Sequence, residues 1–117
     1  MASQLVAFKP SPVVAERCRD LGRTEDVAFS PDQTRLAIAS HLRNKILVIH
    51  IRPVTENGVL SVLSDACVEI HCRDFARPHG LFWMDDATLA VANREGDVTF
   101  VSVPQARTPA ANEPTSA

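Results

Sequence analysis

One segment of this chain occurs twice as an internal repeat, and that repeat constrains the fold more than any other feature. The motif Cys-Arg-Asp at 18–20 returns at 72–74, and the block Asp26–Ser40 aligns without a gap with His79–Asn93. Segments repeated at this length are supersecondary units that bury their apolar faces against copies of themselves. The sequence therefore says much about architecture and little about chemistry.

The composition is that of an ordinary soluble globular domain, with 117 residues, 45% hydrophobic and 22% charged. The net charge of −2 comes from 12 basic and 14 acidic residues without a basic stripe, so nucleic acid is not an expected partner. No apolar run is long enough to span a membrane, and a cytoplasmic location is the expectation. Cys18, Cys67 and Cys72 lack CxxC spacing, which favours packed, reduced thiols over a disulfide or a metal site. No cofactor is predicted.

Each copy is predicted to form four short strands separated by turns. In the third strand, Leu36–Ala39 and Leu89–Ala92 alternate a large branched residue on one face with alanine on the other. Because both faces are apolar, this pattern predicts a sheet stacked between two neighbours. Asn57-Gly58 predicts a tight hairpin turn between the copies. The predicted strands are 13–19, 27–30, 35–39 and 45–51 in the first copy, and 68–73, 80–83, 88–92 and 97–103 in the second.

The motif Val27-Ala-Phe-Ser-Pro-Asp32 followed by Leu36–Ala39, and Pro78–Leu81 followed by Leu89–Arg94, resemble blades of β-propellers of the lactonase, NHL and WD-like group. The resemblance implies an all-β chain built of two four-stranded antiparallel β-propeller blades. The implied division is an N-terminal segment at 1–12, blade 1 at 13–51, a connecting hairpin or loop at 52–67, blade 2 at 68–103 and a disordered tail at 104–117.

Two blades are too few to close a propeller, which needs roughly four to eight. An open sheet face of roughly 400 to 500 Å² forgoes about 10 kcal/mol of burial at about 25 cal/mol/Å². A whole domain is stable by only about 5 to 15 kcal/mol. We therefore expect a partial propeller or a ring-forming oligomer, with self-association or other propeller blades as partners.

The resemblance also implies where a ligand would bind, because the second strand of each blade lines the propeller channel. Residues at its entrance, and polar residues after the third strand, would then face a ligand, and the indole of Trp83 could stack on one. The structural alternatives are a turn cap or interstrand bond for the polar groups and core packing for the indole. No catalytic motif and no metal-ligand spacing is present. The predicted ligand-binding residues are Asp26, Arg77, His79, Trp83, Asn93 and Arg94.

Two functions follow as hypotheses. The first is a non-catalytic β-propeller-type binding or scaffold module for a protein or small-molecule ligand, or a fragment of a longer propeller with that role. The alternative is a lactonase- or lyase-like hydrolytic enzyme acting on a small sugar acid or lactone after oligomeric ring closure, with Asp26 and His79 around the channel.

Overall fold

The computed structural model describes residues 6–105, which form one helix and eight strands in two sheets. Sheet A has the strand order β1-β5-β4-β3-β2, and sheet B has the order β6-β7-β8. All neighbouring strands are antiparallel except β1 and β5, which are parallel. The elements are β1 (Ala7–Pro10), α1 (Pro12–Arg19), β2 (Thr24–Phe29), β3 (Arg35–Ser40), β4 (Lys45–Glu56), β5 (Val59–Ile70), β6 (Pro78–Trp83), β7 (Thr88–Asn93) and β8 (Val98–Ser102).

The expectation of two four-stranded antiparallel blades, forming a partial propeller or a ring-forming oligomer, is wrong. Sheet A is mixed and has five strands, because β1 adds alongside β5 in parallel, while sheet B has three. Within residues 6–105 no strand pairs with the outer edge of β8, and the strands close neither a barrel nor a propeller. The predicted channel is therefore not formed by the described part of the chain.

The segment predicted as the first strand of the first copy is the helix α1. Ser11 caps it, since its Oγ accepts a hydrogen bond from the Val14 backbone N–H at 3.3 Å, and Pro12 occupies the first turn. Arg17 and Arg19 lie in the last turn, where their positive charges interact favourably with the negative end of the helix dipole. These helix signals outweigh the preference of the two valines at 13 and 14 for strands.

The other strand predictions match the structure more closely. The second to fourth strands of the copies overlap β2 to β4 and β6 to β8, and the predicted strand at 68–73 overlaps the end of β5. Asn57 and Gly58 both have positive φ, 52° and 75°, between β4 and β5. The hairpin prediction for this dipeptide is thus confirmed, although β4 and β5 continue well into the predicted connecting segment 52–67.

Two clusters of apolar side chains lie on the two faces of sheet A. The first lies between the sheets and includes Ala37 and Ala39 of sheet A with Leu89 and Val91 of sheet B. The second lies between sheet A and α1 and contains Val14, Leu21, Leu47, Ile49 and Cys67. Sheet A is therefore covered on both faces over part of its area, as the alternation in β3 predicts.

The ends of the chain are described in part. Residues 1–5 of the predicted N-terminal segment and 106–117 of the predicted tail lie outside the described residues. Of the predicted tail, the backbone oxygen of Pro104 accepts a hydrogen bond from the guanidinium of Arg35 at 3.4 Å. In residues 6–105 we find no helix with the length and apolar character needed to cross a membrane.

Candidate functional site

Asp26, predicted from the sequence to face a ligand, connects the two sheets. Its Oδ2 accepts a hydrogen bond from the Leu81 backbone N–H at 2.9 Å, and its Oδ1 accepts one from the Val27 backbone N–H at 2.9 Å. Both carboxylate oxygens thus accept hydrogen bonds from backbone donors of β2 and β6. This is the turn-cap or interstrand-bond role that was named above as the alternative to ligand binding.

Arg77 and Asn93 organise the loops around the start of β6. The backbone N–H of Arg77 donates to Asn44 Oδ1 at 2.7 Å. The side-chain Nε of Arg77 donates to Glu95 Oε2 at 2.8 Å. Asn93 Oδ1 accepts from the Ala76 backbone N–H at 2.9 Å, and its Nδ2 donates to the Asp97 backbone oxygen and to Thr99 Oγ1. These side chains bind the chain to itself beside an open cleft of about 490 Å³.

Arg94 belongs to a group of charged residues around Glu25. Glu25 Oε1 lies 3.7 Å from Arg94 Nη1, 3.4 Å from Arg23 Nη2 and 3.6 Å from His41 Nδ1. Within residues 6–105, neither Glu25 Oε1 nor His41 Nδ1 makes a hydrogen bond, although both atoms are buried. The group places three nitrogen-bearing side chains around one carboxylate. The predicted ligand-binding residues include Arg94 but not its neighbours Glu25, His41 and Arg23.

His79 and Trp83 occupy opposite environments on β6. His79 is exposed, and its imidazole makes no hydrogen bond or ion pair within residues 6–105. Trp83 is buried between the sheets, where its Nε1 donates to the Ala28 backbone oxygen at 2.9 Å. The Arg35 guanidinium lies over its ring at 5.1 Å from the centroid. The indole packs in the core, and a ligand-binding role for the six residues stays a prediction.

A buried ionic network, absent from the sequence predictions, connects α1 to sheet A. Lys45 Nζ donates to Asp20 Oδ2 at 2.6 Å and to Glu69 Oε1 at 2.9 Å. Arg17 Nη1 and His71 Nε2 lie 3.2 and 3.3 Å from Glu69 Oε2. A charge this deeply buried needs such partners, because burial without them is very costly.

The charges in this network shift one another's titration. Burial alone would raise the pKa of Glu69, but the hydrogen bonds from Lys45 and His71 and the nearby positive charges outweigh it and lower that pKa. Burial likewise opposes the charge on Lys45, yet its two carboxylate partners raise its pKa. The hydrogen bond from Lys45 also lowers the pKa of Asp20. Lys45, Glu69 and Asp20 are therefore charged at neutral pH.

The three cysteines are free thiols. Burial raises the pKa of Cys67, which is buried, and of Cys18, which is half-buried, so both favour the protonated, unreactive form. In the described residues there is also no group of three or more His, Cys, Asp or Glu side chains placed to hold a metal ion.

The outer face of sheet B is apolar and uncovered within residues 6–105. Phe82 and Phe100 stand on either side of Ala90 in one cross-strand row, and they are 65% and 62% exposed. Val98 lies opposite Ala92 in the next row and is also exposed. We call this surface the sheet B face. Contiguous apolar patches commonly mark interaction surfaces, whereas apolar residues that are exposed singly need no such explanation.

The helix α1 covers part of the outer face of sheet A, where it contacts β1, β4 and β5. Beyond the helix, Val27 and Phe29 of β2 are 54% and 59% exposed, although Leu36 and Ile38 of β3 beside them are half-buried. We call this open part the sheet A face. It borders an apolar groove of about 290 Å³. The groove is lined by Phe8, Cys18, Phe29, Leu36, Ile49 and Val62, among others.

Comparison of the chain with protein-family models, with curated proteins and with solved structures finds no match.

Proposed function

We propose that this chain is a non-catalytic binding module, and that the sheet A face and the sheet B face are its binding surfaces for protein. The observation that carries the proposal is the exposure of aromatic side chains on two separate sheet faces, Phe29 on one and Phe82 with Phe100 on the other. Aromatic residues dominate the buried centres of protein interfaces, so such positions favour a protein partner.

The polar residues at the strand ends support the same proposal. Asp26, Arg77 and Asn93 use their side chains in hydrogen bonds that join β2, β6 and their loops. Recruiting them for acid–base chemistry would require breaking those bonds. The resemblance to the lactonase, NHL and WD-like group is compatible with this function, because that group includes many catalytically silent scaffolds. A cytoplasmic location stays a prediction.

Panning a random peptide library displayed on phage against the immobilised chain tests the binding function. We expect enrichment of apolar, aromatic-containing peptides, and we expect Phe29→Asp or Phe100→Asp to abolish the binding of one group of them. Leu42→Asp is the matched control, because Leu42 is equally exposed but lies in a turn outside both faces. Absence of enrichment, or peptides that bind all three variants equally, would overturn the proposal.

The hydrolytic alternative is tested on the same protein. A panel of simple lactones incubated with the wild-type chain should show no turnover above the buffer rate. Turnover that is lost in His79→Ala would identify an enzyme and refute the non-catalytic function, because His79 is exposed and its removal leaves the core intact.

A further inference from the structure

The contact between the two sheets inside the chain joins two unlike faces. Sheet A contributes the face that carries Ala37 and Ala39, and sheet B contributes the face that carries Trp83, Leu89 and Val91. The alanines of β2 and β3 at 28, 37 and 39 receive large side chains of sheet B, which lets β2 and β3 approach β6 closely. On β4 and β5 the same face of sheet A carries Ile46, Val48, Val68 and Ile70.

The pairing registers show which positions of the two sheets correspond. In both sheets a three-stranded antiparallel meander repeats the same cross-strand pairs, β2-β3-β4 in one and β6-β7-β8 in the other. Phe29 lies opposite Leu36 as Trp83 lies opposite Leu89, so the sheet A face corresponds to the inner face of sheet B. Ala28 lies opposite Ala37 as Phe82 lies opposite Ala90, so the sheet B face corresponds to the inner face of sheet A.

The chain therefore exposes both halves of the kind of contact that it makes internally. The sheet A face is open at Val27 and Phe29, and the sheet B face is open at Phe82, Val98 and Phe100. We propose that a second copy of this chain docks head to tail, with its sheet B face on the sheet A face of the first copy. This inference rests on the proposed function, since it names the occupant of those two surfaces.

The shapes of the two faces fit this arrangement. A cavity of about 150 Å³ is enough to bind benzene, so the groove of about 290 Å³ beside Phe29 has room for a ring such as Phe82 or Phe100 of the second copy. The helix α1 leaves Val27 and Phe29 of β2 exposed, while Leu36 and Ile38 of β3 beside them are half-buried. Inside the chain, β2 and β3 are also the strands that contact β6.

The polar bonds of the internal contact would not recur between copies. Asp26 accepts a hydrogen bond from the Leu81 N–H, and its counterpart in sheet B is Gly80, which has no side-chain acceptor. Trp83 donates to the Ala28 oxygen, and its counterpart in sheet A is Phe29, which has no side-chain donor. The contact between copies is therefore almost entirely apolar. It should be reversible with concentration and should persist in 1 M sodium chloride, a condition of about 3 Å Debye length that screens ion pairs.

Sedimentation analysis of two singly blocked variants tests the head-to-tail geometry. We expect the wild-type chain to exceed its monomer mass of 12.8 kDa increasingly with concentration. Phe29→Asp blocks the sheet A face and Phe100→Asp blocks the sheet B face, so each variant alone should remain a monomer. Mixed in equal amounts, the two should form a one-to-one heterodimer through the two intact faces, while Leu42→Asp should associate like the wild type.

Three results would overturn the inference: a wild-type chain that stays monomeric at all concentrations, a mixture that forms no heterodimer, or a single variant that still dimerises through one kind of face. Circular dichroism and urea unfolding establish that each variant is folded, and Val27→Asp and Phe82→Asp serve as second variants of the two faces. If the chain is monomeric but its faces still select peptides, the second copy is refuted as the occupant while the binding function stands.

Discussion

The carboxylate of Asp26 holds the backbone N–H of Leu81 across the boundary between the two sheets, with Oδ2 and N separated by 2.9 Å. Strand β2 is an edge strand of sheet A and β6 is an edge strand of sheet B. An edge strand has backbone donors without a partner strand, and leaving such a donor buried and unpaired is costly. One side chain thus satisfies an edge donor and fixes how the sheets stack.

Replacing Asp26 by alanine removes this connection and should lower the free energy of unfolding by about 1 to 3 kcal/mol, because the Leu81 N–H loses its acceptor. Urea unfolding at neutral pH measures the change. Asp74→Ala is the control, since the Asp74 side chain is exposed and makes no hydrogen bond or ion pair within residues 6–105. The control should change stability by less than about 0.5 kcal/mol. Equal effects of the two substitutions would contradict the structural role of Asp26.

Trp83→Phe should also weaken the contact between the sheets, by about 1 to 3 kcal/mol. The substitution keeps an aromatic ring in the core but removes the Nε1 donor to the Ala28 oxygen and weakens the cation–π contact with Arg35. Thermal unfolding followed by circular dichroism measures the loss.

Phe82→Leu is the matched control for this prediction, because Phe82 precedes Trp83 on β6 but points away from sheet A into solvent. The effect of Phe82→Leu should stay within about 0.5 kcal/mol.

Trp83 is the chain's single tryptophan, so its fluorescence emission also reports directly on the core. An emission maximum typical of exposed indole in the folded wild type would contradict the structure.

The fold could be predicted from the sequence where local patterns agree with tertiary packing. The alternation of large residues and alanine at Leu36–Ala39 identified β3, and Asn57-Gly58 identified the hairpin. The pattern failed at Val13–Arg19, because a capped first turn decides between helix and strand and the two valines suggested the strand. The pairing of β1 with β5 has no local signal, since parallel pairing joins segments that lie far apart along the chain.

The alignment of the two copies shows a second limit of sequence reasoning. The ungapped block places Trp83 with Ser30, but the pairing registers place Trp83 with Phe29, so the copies differ by one residue in the turn before the third strand. The ungapped alignment is set by the identical residues of the third strand, so it does not show that one copy has one residue fewer in the turn. For the same reason Asp26 corresponds in position to Gly80, and not to His79.

The ionic network around Lys45 should make stability depend on pH at the acid end. The folded pKa of Glu69 lies below the ordinary 4.5, and that of Asp20 lies below the ordinary 3.8. Carboxylates with lowered folded pKa stabilise the protein above their unfolded pKa, and this contribution is lost as the pH falls through the folded value. The free energy of unfolding should therefore fall as the pH drops below about 4.5.

Lysine acts in the opposite direction, since the folded pKa of Lys45 is raised above the ordinary 10.5. Its contribution is complete below the unfolded pKa and is lost as the pH rises through the folded value, so the stability plateau extends through neutral pH. Urea unfolding from pH 3 to pH 8 covers the acid side of this plateau.

Glu69→Gln should flatten that acid slope and cost about 1.5 to 3 kcal/mol at pH 7, because Lys45 and Arg17 lose a charged acceptor while Lys45 keeps its bond to Asp20. Glu95→Gln is the control: its ion pair with Arg77 is exposed, and such pairs contribute about 0 to 1 kcal/mol. An acid slope that is the same in Glu69→Gln and in the wild type would show that the network does not set the pH dependence.

Gly58→Ala tests the hairpin that joins β4 and β5. A methyl group at this position would meet no atom within 4 Å, so steric contact with the rest of the chain costs nothing. The backbone, however, has φ of +75°, a left-handed conformation that costs a residue with a Cβ roughly 1 to 2 kcal/mol. We expect a loss of that size in urea unfolding.

Gly80→Ala is the control: Gly80 lies outside the left-handed region, and its added Cβ would make an ordinary 3.5 Å contact with Ala92. There alanine should be neutral or stabilise by about 0.4 to 1 kcal/mol, because it restricts the unfolded chain. Opposite signs at the two glycines would isolate the conformation of the turn as the cause, whereas a neutral Gly58→Ala would mean that the two-residue turn is not formed as the structure has it.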